Sequence, residues 1–536
     1  MKADYLLHNG KIHTLDPAQP VVSSLVIHGD KIIAAGNENL CSQFDSVKER
    51  LDLQHRIVIP GLVDAHAHLQ LYTQSLHDVN LVDTGSVQEA MERLRAYAAV
   101  NPGVQWIQGW GWSQDDWADH AFPTAGMIDS VLSNIPVTLT ARSGHATWSN
   151  SLAFARANIT GDTPHPPGGE IQHDAGGQPT GILLDEAMRL VDAIIPPLPI
   201  HELAEKMEAT IRSMNEAGLT GFHDFDGPDS FQALQVLKQQ NRLSLRVVKH
   251  ILVAYLEDAI RLGVHTGFGD DFLRMGAIKI FADGALGPRT GAMLEPYEGE
   301  PDNRGIVVTA KEDLIQVVTK ASLAGFPCAV HAIGDRAVHE VLDAYEAVRR
   351  IEKDAGIAPK NRRHRIEHVQ LIHPEDVRRL KRLGITASMQ PIHATSDMYM
   401  ADTHWGKRAA YGYNWRTHLE QGTNLAFGSD APVESVNPFL GIHAAVTRRR
   451  VDGTPGPMGW RPENNARLTV QEALHAYTVG PAFAAGVDDR LGKLMPGYLA
   501  DLLVLNQDIF SIDSMEIAAT KPEAVMLGGN WVMNDL

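Results

Sequence analysis

The sequence predicts an α/β chain: a TIM-like (β/α)8 barrel, a small β-sandwich domain formed from both chain ends, and an insertion capping the barrel mouth. Three observations predict it. Both ends read as short strands joined by tight turns. The middle alternates apolar strand-like runs with amphipathic helical ones. Residues from about 101 to 200 are broken by Pro and Gly, as in Thr163-Pro164-His165-Pro166-Pro167-Gly168-Gly169 and Pro196-Pro197-Leu198-Pro199.

At the start, residues 5–7, 21–28 and 31–35 are strand-like, with Asn9-Gly10 and Gly29-Asp30 as turn signals. Residues 501–505 and 524–527 have the same texture, with Gly528-Gly529 after them. Chain termini commonly lie close together, so the ends predict one composite domain over 1–58 and 486–536, leaving 59–485 for the barrel. Within the barrel the candidate strands are 57–65, 137–141, 221–225, 244–251, 276–282, 328–332, 364–368, 385–389 and 425–428. Residues 200–216, 311–324, 337–351 and 374–383 carry the 3.6 period of crossover helices between parallel strands. Nine strands are one too many for an eightfold barrel, and the 101–200 segment reads largely as an insertion between early barrel strands. A second irregular stretch, 452–463, leads back towards the sheet domain.

The chain has 536 residues, with 47 Lys+Arg against 65 Asp+Glu and a net charge of -18. An acidic chain repels phosphate backbones, which argues against nucleic acid as a partner. Two cysteines, Cys41 and Cys328, support neither a disulfide framework nor a thiolate zinc site. The start lacks the long apolar core of a secretory signal, and no stretch approaches the roughly 18 apolar residues of a membrane helix. The expectation is a soluble, cytoplasmic protein with a small-molecule substrate, no membrane association and a possible homodimeric state.

The 25 histidines are the departure from ordinary composition. In Gly61-Leu62-Val63-Asp64-Ala65-His66-Ala67-His68, two imidazoles stand two residues apart, so a strand directs both to one side. That suits a divalent metal; separate hydrogen-bond partners would satisfy the pair equally. Further polar residues close apolar runs: His331, His368 in Arg365-Ile366-Glu367-His368, and Asp430 in Phe427-Gly428-Ser429-Asp430. Strand ends of a parallel barrel converge on one centre, whereas singly each has an ordinary reading as a satisfied histidine or a helix-capping aspartate. Lys279 lies inside Met275-Gly276-Ala277-Ile278-Lys279-Ile280-Phe281, where a free ammonium is costly. It needs either a salt bridge or conversion to an uncharged amine that captures carbon dioxide as a metal-bridging carbamate.

With His66, His68, Lys279, His331, His368 and Asp430 in that order, the chain resembles the binuclear metal hydrolases of the amidohydrolase superfamily. The runs Ile278-Lys279-Ile280-Phe281-Ala282-Asp283-Gly284-Ala285-Leu286-Gly287, His331-Ala332-Ile333-Gly334-Asp335-Arg336-Ala337 and Ser143-Gly144-His145-Ala146-Thr147-Trp148-Ser149-Asn150 resemble its amidohydrolase family 3 branch, which includes N-substituted formamide deformylases. The resemblance implies two divalent ions, zinc first among candidates. His66, His68 and Asp430 would hold the more buried one, His331 and His368 the other, and carboxylated Lys279 would bridge them.

The implied reaction is hydrolysis of an amide-type C–N bond by attack of metal-bound hydroxide, with Asp430 as acid/base and His145 stabilising the oxyanion. Trp106, Trp110, Trp112, Trp117 and Trp148 fall in or beside the insertion, and they either face a hydrophobic or aryl substrate or form the insertion's own core. Trp110 and Trp112 are the substrate-contact candidates, with Arg289 or Arg336 for a substrate carboxylate unless ion pairs occupy them. Asp283 and Asp335 would orient ligands. Two rivals stand beside this reading: a mononuclear deaminase on the same barrel, which would need no bridging lysine, and a non-catalytic binding scaffold, which would be expected to have lost ligands.

Overall fold

The computed structural model describes residues 2–44, 46–118, 120–142, 146–166, 169–464 and 466–536. Eight parallel strands in sequence order form the barrel: β1 (Leu62–Ala67), β2 (Leu219–Asp224), β3 (Arg246–Leu252), β4 (Leu273–Phe281), β5 (Cys328–Ala332), β6 (Arg365–His368), β7 (Thr386–Met389) and β8 (Leu425–Phe427). Last and first strands meet just beyond their ends, where the Asp430 N–H donates to the His66 carbonyl at 2.7 Å and the His68 N–H to the Ala431 carbonyl at 2.9 Å. Gly428 permits that approach: a Cβ there would lie 2.5 Å from both the His66 nitrogen and Asp64 Oδ1.

The predicted run 57–65 is two strands. Ile57–Pro60 pairs antiparallel with Leu502–Leu505 and so belongs to the sheet domain, while β1 starts at Leu62. Gly61 sits at the break because any Cβ would lie 2.2 Å from Thr220 Oγ1 of β2. The strand that exceeds eight, Val137–Ala141, belongs to a different sheet. The helices Ile200–Glu216, Lys311–Leu323 and Asp335–Asp354 realise the 3.6-period stretches, and 374–383 is a short 3-10 turn followed by Val377–Leu383.

Residues from both chain ends build a sandwich of a four-stranded and a six-stranded sheet. Its core mixes early residues such as Leu7, Ile12, Leu25, Ile27 and Val58 with late ones such as Leu502, Val504, Ala524 and Met526, all fully buried. A second compact unit spans Leu71–Lys206. It has its own six-stranded sheet, which includes Ile107–Trp112 and Val137–Ala141, and its own apolar core. No helix among the described residues is long and apolar enough to cross a membrane.

Candidate metal centre

Alternation along β1 puts Asp64 and His66 on the inner face, and His68 follows at the strand's end. Both imidazoles turn Nε2 to the same carboxylate oxygen: Asp430 Oδ1 lies 3.4 Å from His66 Nε2 and 3.6 Å from His68 Nε2. Donors about 2.0–2.2 Å from a shared tetrahedral zinc stand about 3.3–3.6 Å apart, so these spacings fit one ion. His368, the last residue of β6, adds a third direction: donor atoms of His66, His368 and Asp430 lie within 4.8 Å of one another. The His331 ring, on β5, is 4.6 Å from that of His368. Thus five predicted ligands from four strands gather at one rim, together with Lys279 of β4.

Each histidine has one nitrogen engaged behind it. His66 Nδ1 meets Glu367 Oε2 at 2.5 Å, His68 Nδ1 meets Asp226 Oδ1 at 3.1 Å, and His368 Nδ1 meets Gln390 Oε1 at 2.8 Å. For His331 the roles reverse, because Nε2 donates to the Gly284 carbonyl at 2.9 Å and leaves Nδ1 for the centre. Such partners fix tautomer and ring orientation in metal-binding histidines. His66 Nε2, completely buried, has no hydrogen-bond partner among the described residues. Burial, reinforced by the charge of Lys279, holds His66 well below the ordinary imidazole range and His331 down to about 3. Neutral imidazole is the form that binds a cation.

Lys279 is buried with its ammonium over the faces of Phe225, at 4.8 Å, and Phe281, at 4.7 Å. No carboxylate forms a salt bridge with it among the described residues. Burial pushes it down to about 8, against the pull of Glu367 and Asp430. The backbone at this rim is strained: His368, Val369 and Asp430 have φ of 74°, 43° and 60°. Non-glycine residues in that region cost on the order of 1–3 kcal/mol each and persist where surrounding structure holds them.

The other predicted positions fare differently. His145 lies outside the described residues. Trp112 is a core side chain: fully buried, it packs on Trp117 and Trp148, and its N–H donates to the Leu139 carbonyl. That corrects its expected role in substrate contact, since no face of the ring is free. Trp110, half-buried in the same Leu71–Lys206 unit, has a ring N–H without a partner among the described residues. Arg289 pairs with Glu300 at 2.5 Å and Arg336 with Glu340 at 2.8 Å, so ion pairs account for both. Asp283 accepts the N–H groups of Ala292, Ile333 and Gly334, and Asp335 that of Leu294, so both carboxylates secure the loops after β4 and β5.

Four residues at the site escape the sequence reading: Glu367, Asp226, Gln390 and His393. Glu367 is locked by Arg365, whose Nε lies 2.5 Å from Oε1. His393, in the helix Pro391–Trp405 after β7, sets Nε2 4.0 Å from Asp430 Oδ2. The run Met389-Gln390-Pro391-Ile392-His393 closes an apolar strand with polar residues, the same signal that marks His331 and His368.

The sequence model described as "Amidohydrolase family" matches residues 49–533. YtcJ of Bacillus subtilis (strain 168), whose name includes the term amidohydrolase, is 33% identical, with 99% of each chain covered. The N-substituted formamide deformylase of Arthrobacter pascens is 27% identical over 94% of each chain. Among solved structures, an uncharacterized metal-dependent hydrolase from Pyrococcus furiosus superposes with a TM-score of 0.78 at 29% identity, covering 95% of this chain and all of that one.

Proposed function

The chain belongs to the amidohydrolase family and has relatives named amidohydrolase and deformylase, and we propose that it cleaves the C–N bond of an N-acyl or N-formyl amine at the β1–β8 rim. The convergence of His66, His68, His368 and Asp430, with His66 Nε2 buried and unpartnered, carries this reading. His66, His68 and Asp430 would hold one divalent ion, zinc by donor chemistry, and His331 and His368 a second. Lys279 would lie between them as its carbamate, which accounts for a buried amine with aromatic faces and no salt bridge to a carboxylate among the described residues. Bound ions supply Lewis-acid polarisation and lower the pKa of water.

The remaining work falls to the chain. Asp430 turns Oδ1 to the two histidines of β1, which leaves Oδ2 to take a proton from the attacking water. The water oxygen bonds to the carbonyl carbon, the C–N bond breaks with its electron pair on nitrogen, and Asp430 Oδ2 returns its proton to that nitrogen. The other water proton stays on the carboxylic acid product. The deformylase relative favours an N-formyl amine. We assign the sandwich to 1–60 and 486–536, because Ile57–Pro60 pairs within its sheet, and the barrel to 61–485.

Elemental analysis of protein purified without chelators, combined with a hydrolysis screen of N-formyl and N-acyl amines, cyclic amides and esters, tests this. About two ions per chain and turnover of an acyclic amide are expected. Metal-loaded protein that hydrolyses none of them overturns the assignment.

A further inference from the structure

We propose that His393 is a further catalytic residue, whose Nε2–H donates to the amide oxygen as it becomes tetrahedral. This rests on the hydrolase reading above. His393 is 5% exposed, and the Gln370 amide nitrogen lies 3.5 Å from its Nδ1. An amide NH2 only donates, so Nδ1 accepts and the proton sits on Nε2. That N–H is buried and has no partner among the described residues.

A buried donor left open is costly unless something else fills it. Its nearest carboxylate oxygen is Asp430 Oδ2 at 4.0 Å, too far for a direct hydrogen bond. Two atoms at that separation can both reach one atom placed between them at about 2.8 Å from each. An atom placed there would be touched on one side by the proton-carrying carboxyl and on the other by an imidazole N–H. When the oxygen carries negative charge, Asp430 has taken up the water proton and is neutral, so the two do not repel. A ring fixed by burial in the helix that starts next to β7 donates without reorganising, the condition under which such donors act. Its ring centroid is 6.2 Å from that of His368, beside the centre and not among its ligands.

The zinc-loaded full chain is compared with His393→Phe, which keeps ring size without the donor, and His393→Gln, whose amide N–H reaches a similar point. Metal content is read by elemental analysis, turnover on the amide chosen by the screen, and affinity for methylphosphonate, a tetrahedral oxyanion, by calorimetry. Expected for His393→Phe are unchanged metal content, kcat lower by about 100-fold with KM within about threefold, and methylphosphonate affinity lower by at least about tenfold. His393→Gln should recover at least about tenfold of the kcat loss, and His393→Leu, which also lacks the donor, takes the place of the Phe variant if that does not fold. Metal loss in either variant, or wild-type kcat and methylphosphonate affinity in His393→Phe, overturns the proposal. A wild-type chain that hydrolyses no amide sinks the parent reading instead, and the methylphosphonate comparison still decides on the donor.

Discussion

At the end of the barrel nearest the sandwich, Arg246 opens β3 and meets Asp501 through two contacts, Nε to Oδ2 at 2.6 Å and Nη2 to Oδ1 at 2.9 Å. Its third nitrogen donates to the Asp271 carbonyl, its face covers Phe272, and Asp501 accepts the Gly528 N–H as well. All three guanidinium nitrogens are engaged. At the opposite rim, His66 Nε2, His393 Nε2 and Gln390 Nε2 are buried without partners among the described residues, on backbone that includes left-handed His368 and Asp430. Natural cores satisfy most buried polar groups, so open imidazole nitrogens of His66 and His393 beside Asp430, at 3.4 and 4.0 Å, point to the end that binds something. At the other end the Arg246–Asp501 pair ties β3 to the strand Leu502–Leu505.

The largest effect expected from breaking this contrast is at Lys279. Lys279→Ala removes the amine and with it the proposed bridge, so metal and turnover should fall together, activity by at least about 10³-fold. Elemental analysis and kinetics on one preparation check it; full metal content with full turnover refutes the bridging role. Arg246→Ala probes the other end. It leaves Asp501 buried and unpaired, which costs about 3–5 kcal/mol. A urea midpoint should record that loss while metal content of the folded protein stays unchanged, and a midpoint within error of wild type would remove the seam from the account of stability.

A third buried group separates open valence from function. His418 is fully buried in the helix Trp415–Glu420, with neither ring nitrogen partnered among the described residues, and burial lowers it from the ordinary 6.5 to about 4. Among the described residues no metal-ligating group includes it, so it should cost stability and supply no chemistry. A folded pKa below the unfolded one means the unfolded state binds more protons: the folded state is unpenalised above pH 6.5 and loses stability as pH falls from there towards 4. Between about pH 7.5 and 4.5 this one group should remove about 2–3 kcal/mol. Denaturant titrations of wild type and His418→Phe at both pH values test it, and identical acid losses in the two proteins would show that the ring is solvated.

Much of this was legible before folding. Apolar runs ending in His or Asp marked barrel strands and five of the six proposed ligands at once, because a strand end in a parallel barrel is both the end of burial and the start of the site. Lys279 stood out for the opposite reason, as a charge inside a run. What stayed hidden was whatever depends on a partner far along the chain. Glu367 reads as one more polar residue until β1 brings His66 to it across 301 positions. The division of 57–65 at Gly61 was equally invisible, since only the Thr220 side chain on β2 forbids a Cβ there. Trp112 shows that an aromatic cluster in sequence does not say which rings face a ligand and which form a core.

The smallest effect, and the finest test of the rim, concerns Gln390. Its Oε1 accepts from His368 Nδ1 at 2.8 Å, so it fixes the ring with Nε2 towards the centre, yet it touches no other predicted ligand. If the open valences are tuned for a cation, this remote contact has a measurable share in holding it. Gln390→Ala should weaken metal affinity by about 10–100-fold, as the loss of a partner behind a metal-binding histidine generally does. Gln390→Glu, which keeps the acceptor and adds charge, should bind metal at least as tightly as wild type. Competition against a chelator of known affinity measures both. Equal affinity in all three proteins would mean that packing alone orients His368, with burial against its neighbours doing what the hydrogen bond is credited with here.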